Sequence, residues 1–136
     1  MENKWYALKL LITGANGLYG SRLARLAVEK NYDVYSGYNQ ELPAYGTSVH
    51  IDVSDKTNVD EAFKKVNPEV VVHAATLTDV DKCETNKELA WKINVDGTKN
   101  IVDASKISHT FLVYISTDYV FNGEKGQYKE TDTPDP

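Results

Sequence analysis

Residues 8–20, LKLLITGANGLYG, constrain this chain more than any other stretch. A short apolar run ends at Thr13, three glycines follow at Gly14, Gly17 and Gly20, and a helical pattern begins at once. The order strand, glycine turn, helix presents bare backbone N–H groups and a helix N-terminus, a combination suited to a phosphate. Each glycine has its own task in that reading. Gly14 turns the chain off the strand, Gly17 leaves out a side chain where a pyrophosphate approaches, and Gly20 lets the helix lie close on the sheet. The spacing G-x-x-G-x-x-G departs from the G-x-G-x-x-G fingerprint. Turns also need glycine for their own sake. The placement between strand and helix therefore carries the reading.

Strand and helix patterns alternate beyond it. Strands are expected over 6–12, 33–37, 48–53, 69–73 and 111–116. A helix over 18–30 has apolar residues at Leu23, Leu26 and Ala27. A second, over 55–66, has Val59, Ala62, Phe63 and Val66 on one face and is stopped by Asn67-Pro68. Thr85-x-x-Glu88 reads as a capping box opening one long helix to about residue 107, with Leu89, Ile93, Gly97, Ile101 and Ala104 in a stripe. Gly97 costs that helix about 1 kcal/mol against alanine, which points to close packing on the sheet. Residues 40–47 and 122–136 read as surface loop.

The alternation implies an α/β fold, a three-layer, doubly wound parallel sheet of Rossmann type with strand order 3-2-1-4-5. Ligands bind such sheets at the carboxyl ends of the strands, where the order reverses. That edge gathers Thr13–Gly20, Gly37–Asn39, Asp52–Val53, His73–Thr78 and Ser116–Tyr119.

At 136 residues the chain holds one domain, expected over 1–121. Its net charge of −5 argues against nucleic-acid or anionic-membrane partners. No apolar run approaches the ~20 residues of a membrane span, and the first ten residues do not read as a signal peptide. Cys83 is the only cysteine, so no internal disulfide can form and a cytoplasmic location is the default. No metal-ligand cluster is visible, and His50, His73 and His109 read as structural.

The second strand ends in Ser36-Gly37-Tyr38-Asn39, with neither the acid that binds a ribose 2′-hydroxyl nor the arginine that meets a 2′-phosphate. Tyr38 and Asn39 can hydrogen-bond either sugar or simply end a strand. The missing acid tilts the choice towards NADP over NAD. Asp52, followed by Val53, can accept an adenine amino group, or the position can serve the next helix as a cap, a task open to Ser54 or Asp55 as well. Ala74 and Ala75 keep the fourth strand end small enough for a ribose and phosphates to lie on the backbone. Ser116 and Thr117 put hydroxyls at the fifth strand end, where one can hydrogen-bond a substrate carbonyl or form an ordinary Ser/Thr turn.

Taken together, TGANGLYG (13–20), PEVVVHAA (68–75), TDVDKCE (78–84), NVDGT (94–98), STDYVF (116–121) and ETD (130–132) resemble the N-terminal part of an extended short-chain dehydrogenase/reductase. More narrowly, the chain is similar to the dTDP-4-dehydrorhamnose reductase family. The resemblance implies an NADP- or NAD-dependent reduction of a nucleotide-linked 4-keto sugar. It implies cofactor contacts at Gly14, Asn16, Gly17, Leu18, Tyr19, Gly20, Tyr38, Asn39, Asp52, Val53, Ala74, Ala75, Thr76, Thr78 and Ser116. It places Thr117 at the family's catalytic hydroxyl, with Asp118 beside it at the substrate. The family's Y-x-x-x-K pair has no counterpart in residues 1–136, and Tyr119 is followed by Gly123. The chain as given is therefore expected to hold the cofactor site without the substrate domain and not to turn over. A non-catalytic subunit resembling the β subunit of methionine adenosyltransferase, and a nucleotide-sugar epimerase or dehydratase, are the alternative readings. The fifth strand, FLVYIS, suits burial between two neighbours, so self-association, pairing with a complementary C-terminal fragment, or aggregation through an exposed edge is expected.

Overall fold

In a computed structural model the described residues are 7–136. The five strands β1 (Lys9–Thr13), β2 (Asp33–Tyr38), β3 (Thr47–His50), β4 (Val70–His73) and β5 (Phe111–Tyr114) form one parallel sheet in the order β3-β2-β1-β4-β5. The doubly wound sheet expected from the sequence is thus the fold. Helices α1 (Leu18–Glu29), α2 (Lys56–Val66) and α5 (Gly97–Ser108) cover its two faces.

Alternation along β1 divides the core. Leu11 joins Val49 and Val71 under α2 and α5, packed on Val59, Phe63 and Ile101. Ile12 faces the other way, with Val34 and Val72 against Ala24 and Ala27 of α1. β4 is covered on both sides, which is why it reads as an unbroken valine run. α2 starts at Asp55, whose carboxylate accepts from the Thr57 and Asn58 amides. It ends at Asn67, in the left-handed region at φ 49°, just ahead of Pro68.

Several local expectations need correction. The first strand begins at Lys9, and Tyr6 lies outside the described residues. β3 stops at His50, because Asp52 folds back in a turn that takes Ser54 N–H and Oγ–H. α1 buries Gly20, Ala24 and Ala27, while Leu26 is half exposed. Small residues mark the contact face, since the helix lies close to the strands.

The long helix from Thr85 is in fact several pieces. α3 (Val80–Thr85) is a separate turn of helix capped by Asp79, and Thr85 Oγ1 donates backwards to the Asp81 carbonyl. The next cap is Asn86, which accepts from Leu89 N–H and opens α4 (Lys87–Trp91). A π-helical turn over Lys92–Asp96 then leads into α5. Gly97 packs on Val53, whose Cγ2 would stand 2.9 Å from a Cβ there, so the segment after β3, not the sheet, demands the glycine. β5 is shorter than expected, ending at Tyr114, and has no strand beyond it among the described residues. After the short turn at Asp118–Val120, residues 122–136 form a surface loop. It is closed on itself by Asn122–Asp135 and Tyr128–Asn122 hydrogen bonds and by Phe121 stacked on Tyr128.

Candidate functional site

The carboxyl ends of β1, β4 and β5 open onto a crevice of about 830 Å³. One wall is the glycine turn and the start of α1; the other is the chain that follows β4 and β5. Gly14 adopts φ +67°, and a Cβ on it would stand 2.8 Å from the Ala75 backbone. Any other residue would push the turn off the end of β4. A Cβ on Gly20 would strike the Gly14 carbonyl and lie 2.9 Å from Ala15 Cα. Gly17 is different. Its φ is −70°, and its nearest neighbour is the Gly14 oxygen at 3.3 Å. The fold requires Gly14 and Gly20 much more than it requires Gly17.

The turn consumes some of its own amides. Ala15 donates to the Gly37 carbonyl, Gly17 to Gly14 and Ser21 to Gly17. The N–H groups of Asn16, Leu18, Tyr19 and Gly20 take no acceptor among the described residues. Three of these amides open a 12-residue helix and the fourth sits just ahead of it, an arrangement of donors suited to an anion.

Opposite, Ala74 and Ala75 make a shallow floor, and their amides are already bonded to Thr13 Oγ1 at 3.2 and 3.3 Å. Thr13 also meets His73 Nδ1 at 2.7 Å. Burial pushes the His73 imidazole down to about 4. Thr76 Oγ1 donates to Asn94 Oδ1, which takes the Leu77 N–H as well.

The crevice brings together Gly14, Gly17, Leu18, Tyr19, Gly20, Ala74, Ala75, Thr76, Thr78, Ser116 and Thr117 of the expected residues. Thr117 Oγ1 donates to Asp118 Oδ1 and accepts from Tyr119 N–H, the Ser/Thr turn reading of this strand end. Asn16, Tyr38, Asn39, Asp52, Val53 and Asp118 are not in its lining. Tyr38 packs edge-on against His50, and Asn16 Nδ2 ties the turn to the Glu41 carbonyl. Asp55 caps α2, leaving Asp52 free of that task. The Val53 side chain is core, and its carbonyl accepts from Asn100. Sequence reasoning gave no site role to Val80, Cys83, Asn94, Thr98, Tyr114 or Ile115, all in the crevice wall, whereas Leu77 and Tyr119 lie in segments it had placed at this edge. For Asn94 a signal existed: asparagine is a poor residue for the middle of a helix unless its side chain is engaged elsewhere. Among the described residues there is no cluster suited to a metal ion and no helix long and apolar enough to cross a membrane.

A family model described as the RmlD substrate binding domain matches residues 8–136. The chain belongs to the RmlD family. Among RmlD relatives, dTDP-4-dehydrorhamnose reductase of Aggregatibacter actinomycetemcomitans is 36% identical over 130 residues, 94% of this chain and 41% of the relative. The crystal structure of a hypothetical dTDP-4-dehydrorhamnose reductase from Sulfolobus tokodaii superposes with a TM-score of 0.85 at 43% identity, over 95% of this chain and 46% of that one. The Bacillus anthracis dTDP-4-dehydrorhamnose reductase, solved in complex with NADP, gives 0.83 at 34% identity, over 96% and 44%. The chain spans about two-fifths of the length of the curated RmlD relative.

Proposed function

We propose that this chain forms the coenzyme-binding part of an NAD(P)H-dependent reductase acting on a nucleotide-linked 4-keto sugar. The free amides at Leu18, Tyr19 and Gly20, which line the crevice together with Ala74 and Ala75, carry the reading, with the free Asn16 amide beside them in the turn. They fit a pyrophosphate: the donors point from a helix N-terminus, and the Gly14 and Gly20 cradle has no room for a side chain. The NADP complex of the Bacillus anthracis relative supports it.

When bound, the coenzyme supplies a hydride to the sugar carbonyl carbon. The turn amides hold its phosphates, with Gly14 and Gly17 keeping the approach open. Tyr38, Asn39, Asp52 and the Val53 backbone serve the adenosine end, and the lack of an acid at Tyr38–Asn39 admits a 2′-phosphate. Thr76, Thr78 and Ser116 flank the nicotinamide side. Thr117 turns its hydroxyl from Asp118 to the substrate carbonyl oxygen, where a donor is worth most as negative charge develops. Asp118 then contacts the sugar.

Titration of the 136-residue chain with NADH and NADPH, read by energy transfer from tryptophan, tests this. Binding of either coenzyme is expected, NADPH somewhat the tighter, and Gly17→Val should abolish it while far-UV circular dichroism stays unchanged. Equal affinity of wild type and variant would refute the proposed pyrophosphate site.

A further inference from the structure

A chain of hydrogen bonds runs along the crevice wall from α5 to β1. Thr98 Oγ1 donates to the Asn94 carbonyl at 2.7 Å, which uses its single proton. Towards His73 Nε2, 3.2 Å away, Thr98 can then only accept, so Nε2 carries a hydrogen. The ring is 1% exposed. Its hydrogen-bond partners, Thr13 and Thr98, are uncharged, and the titratable group packed on it is the Tyr114 phenol ring at 5.9 Å. A buried imidazole with no carboxylate partner stays neutral. Nδ1 is then a bare acceptor, and the Thr13 hydroxyl donates to it at 2.7 Å. That fixes the rotor of Thr13 and aims its two lone pairs at the Ala74 and Ala75 N–H groups. Each polar atom in the chain has its partner.

We infer that His73 is a positioning residue, held as the neutral Nε2–H tautomer, which orients the Thr13 hydroxyl so that it captures both the Ala74 and Ala75 amides and fixes the floor of the crevice. The floor therefore meets its ligand by shape and offers no donors, and anion recognition falls entirely to the glycine turn. Calling that ligand a coenzyme rests on the function proposed above; the tautomer does not.

Long-range ¹⁵N–¹H spectra of the ligand-free 136-residue chain at pH 7 read the tautomer directly. Nitrogen shifts of a protonated Nε2 and a bare Nδ1 are expected for His73. A proton on Nδ1, or an imidazolium, overturns the inference whether or not any variant folds. Thr13→Val removes the hydroxyl at constant shape. The Ala74 and Ala75 amides should then exchange about tenfold faster or more, and coenzyme affinity should fall about tenfold, with Thr13→Ser restoring both. Slow Ala74 and Ala75 exchange in Thr13→Val also overturns it. Failure of wild type to bind either coenzyme, with the expected tautomer present, removes the proposed function and leaves the lock standing.

Discussion

The side-chain amide of Asn94 satisfies both backbone groups of Leu77: Oδ1 accepts its N–H at 2.8 Å, and Nδ2 donates to its carbonyl at 3.1 Å. The π-helical turn over Lys92–Asp96 thereby holds the loop after β4, which forms the crevice wall from Thr76 to Thr78. Asn94→Asp replaces the donor with a second acceptor facing the Leu77 oxygen. It should lower stability by roughly 2 kcal/mol, measured by urea denaturation, and speed hydrogen exchange at Leu77 N–H. Unchanged stability and exchange would show that the clamp is not needed.

Gly17 and Gly20 should separate fold from binding. Gly20→Ala forces a Cβ into the Gly14 carbonyl and should cost about 1–3 kcal/mol or more, as overpacking against backbone does. The Cβ of Gly17→Val meets only the Gly14 oxygen, at 3.3 Å, and the variant should leave the melting temperature within a few degrees of wild type. A Gly20→Ala protein as stable as wild type would contradict this packing.

His73 gives stability a pH dependence of defined sign. Its folded value is about 4, against an ordinary 6.5. Between these values the unfolded chain takes a proton that the folded chain refuses. The contribution is therefore complete above pH 6.5, declines as pH falls towards 4, and loses nothing further below. A gap of that width is roughly 3 kcal/mol. Denaturation midpoints from pH 4 to 7 should show this slope in wild type and a shallower one in His73→Gln, whose side chain does not titrate. Parallel profiles would assign the acid sensitivity to other groups.

The β5 edge should make the 136-residue polypeptide self-associate. Phe111 is 67% exposed and Tyr114 54%, and no lysine or proline interrupts Phe111–Tyr114. Light scattering coupled to size-exclusion chromatography should show mass rising with concentration, and Val113→Lys should reduce it. A monomer at every concentration would count against association through this edge.

Strand order and layer assignment were legible in the sequence, because a doubly buried strand must be apolar throughout, as Val70–Val72 are, and an amphipathic helix repeats its face, as Val59, Ala62, Phe63 and Val66 do. The glycine turn was legible because the spacing places Gly14 and Gly20 between strand and helix, although the Ala75 backbone that crowds Gly14 is brought there only by the sheet. Tertiary structure decided the rest. Thr85 has the composition of a cap, yet Asn86 does the capping, since the Thr85 hydroxyl closes α3 by donating to the Asp81 carbonyl while Asn86 accepts from Leu89 N–H. His73 and Thr98 are 25 residues apart, and Thr13 and His73 are 60. Hydrogen bonds over such separations depend on where two strands and a helix meet, and no local pattern of residues records that meeting.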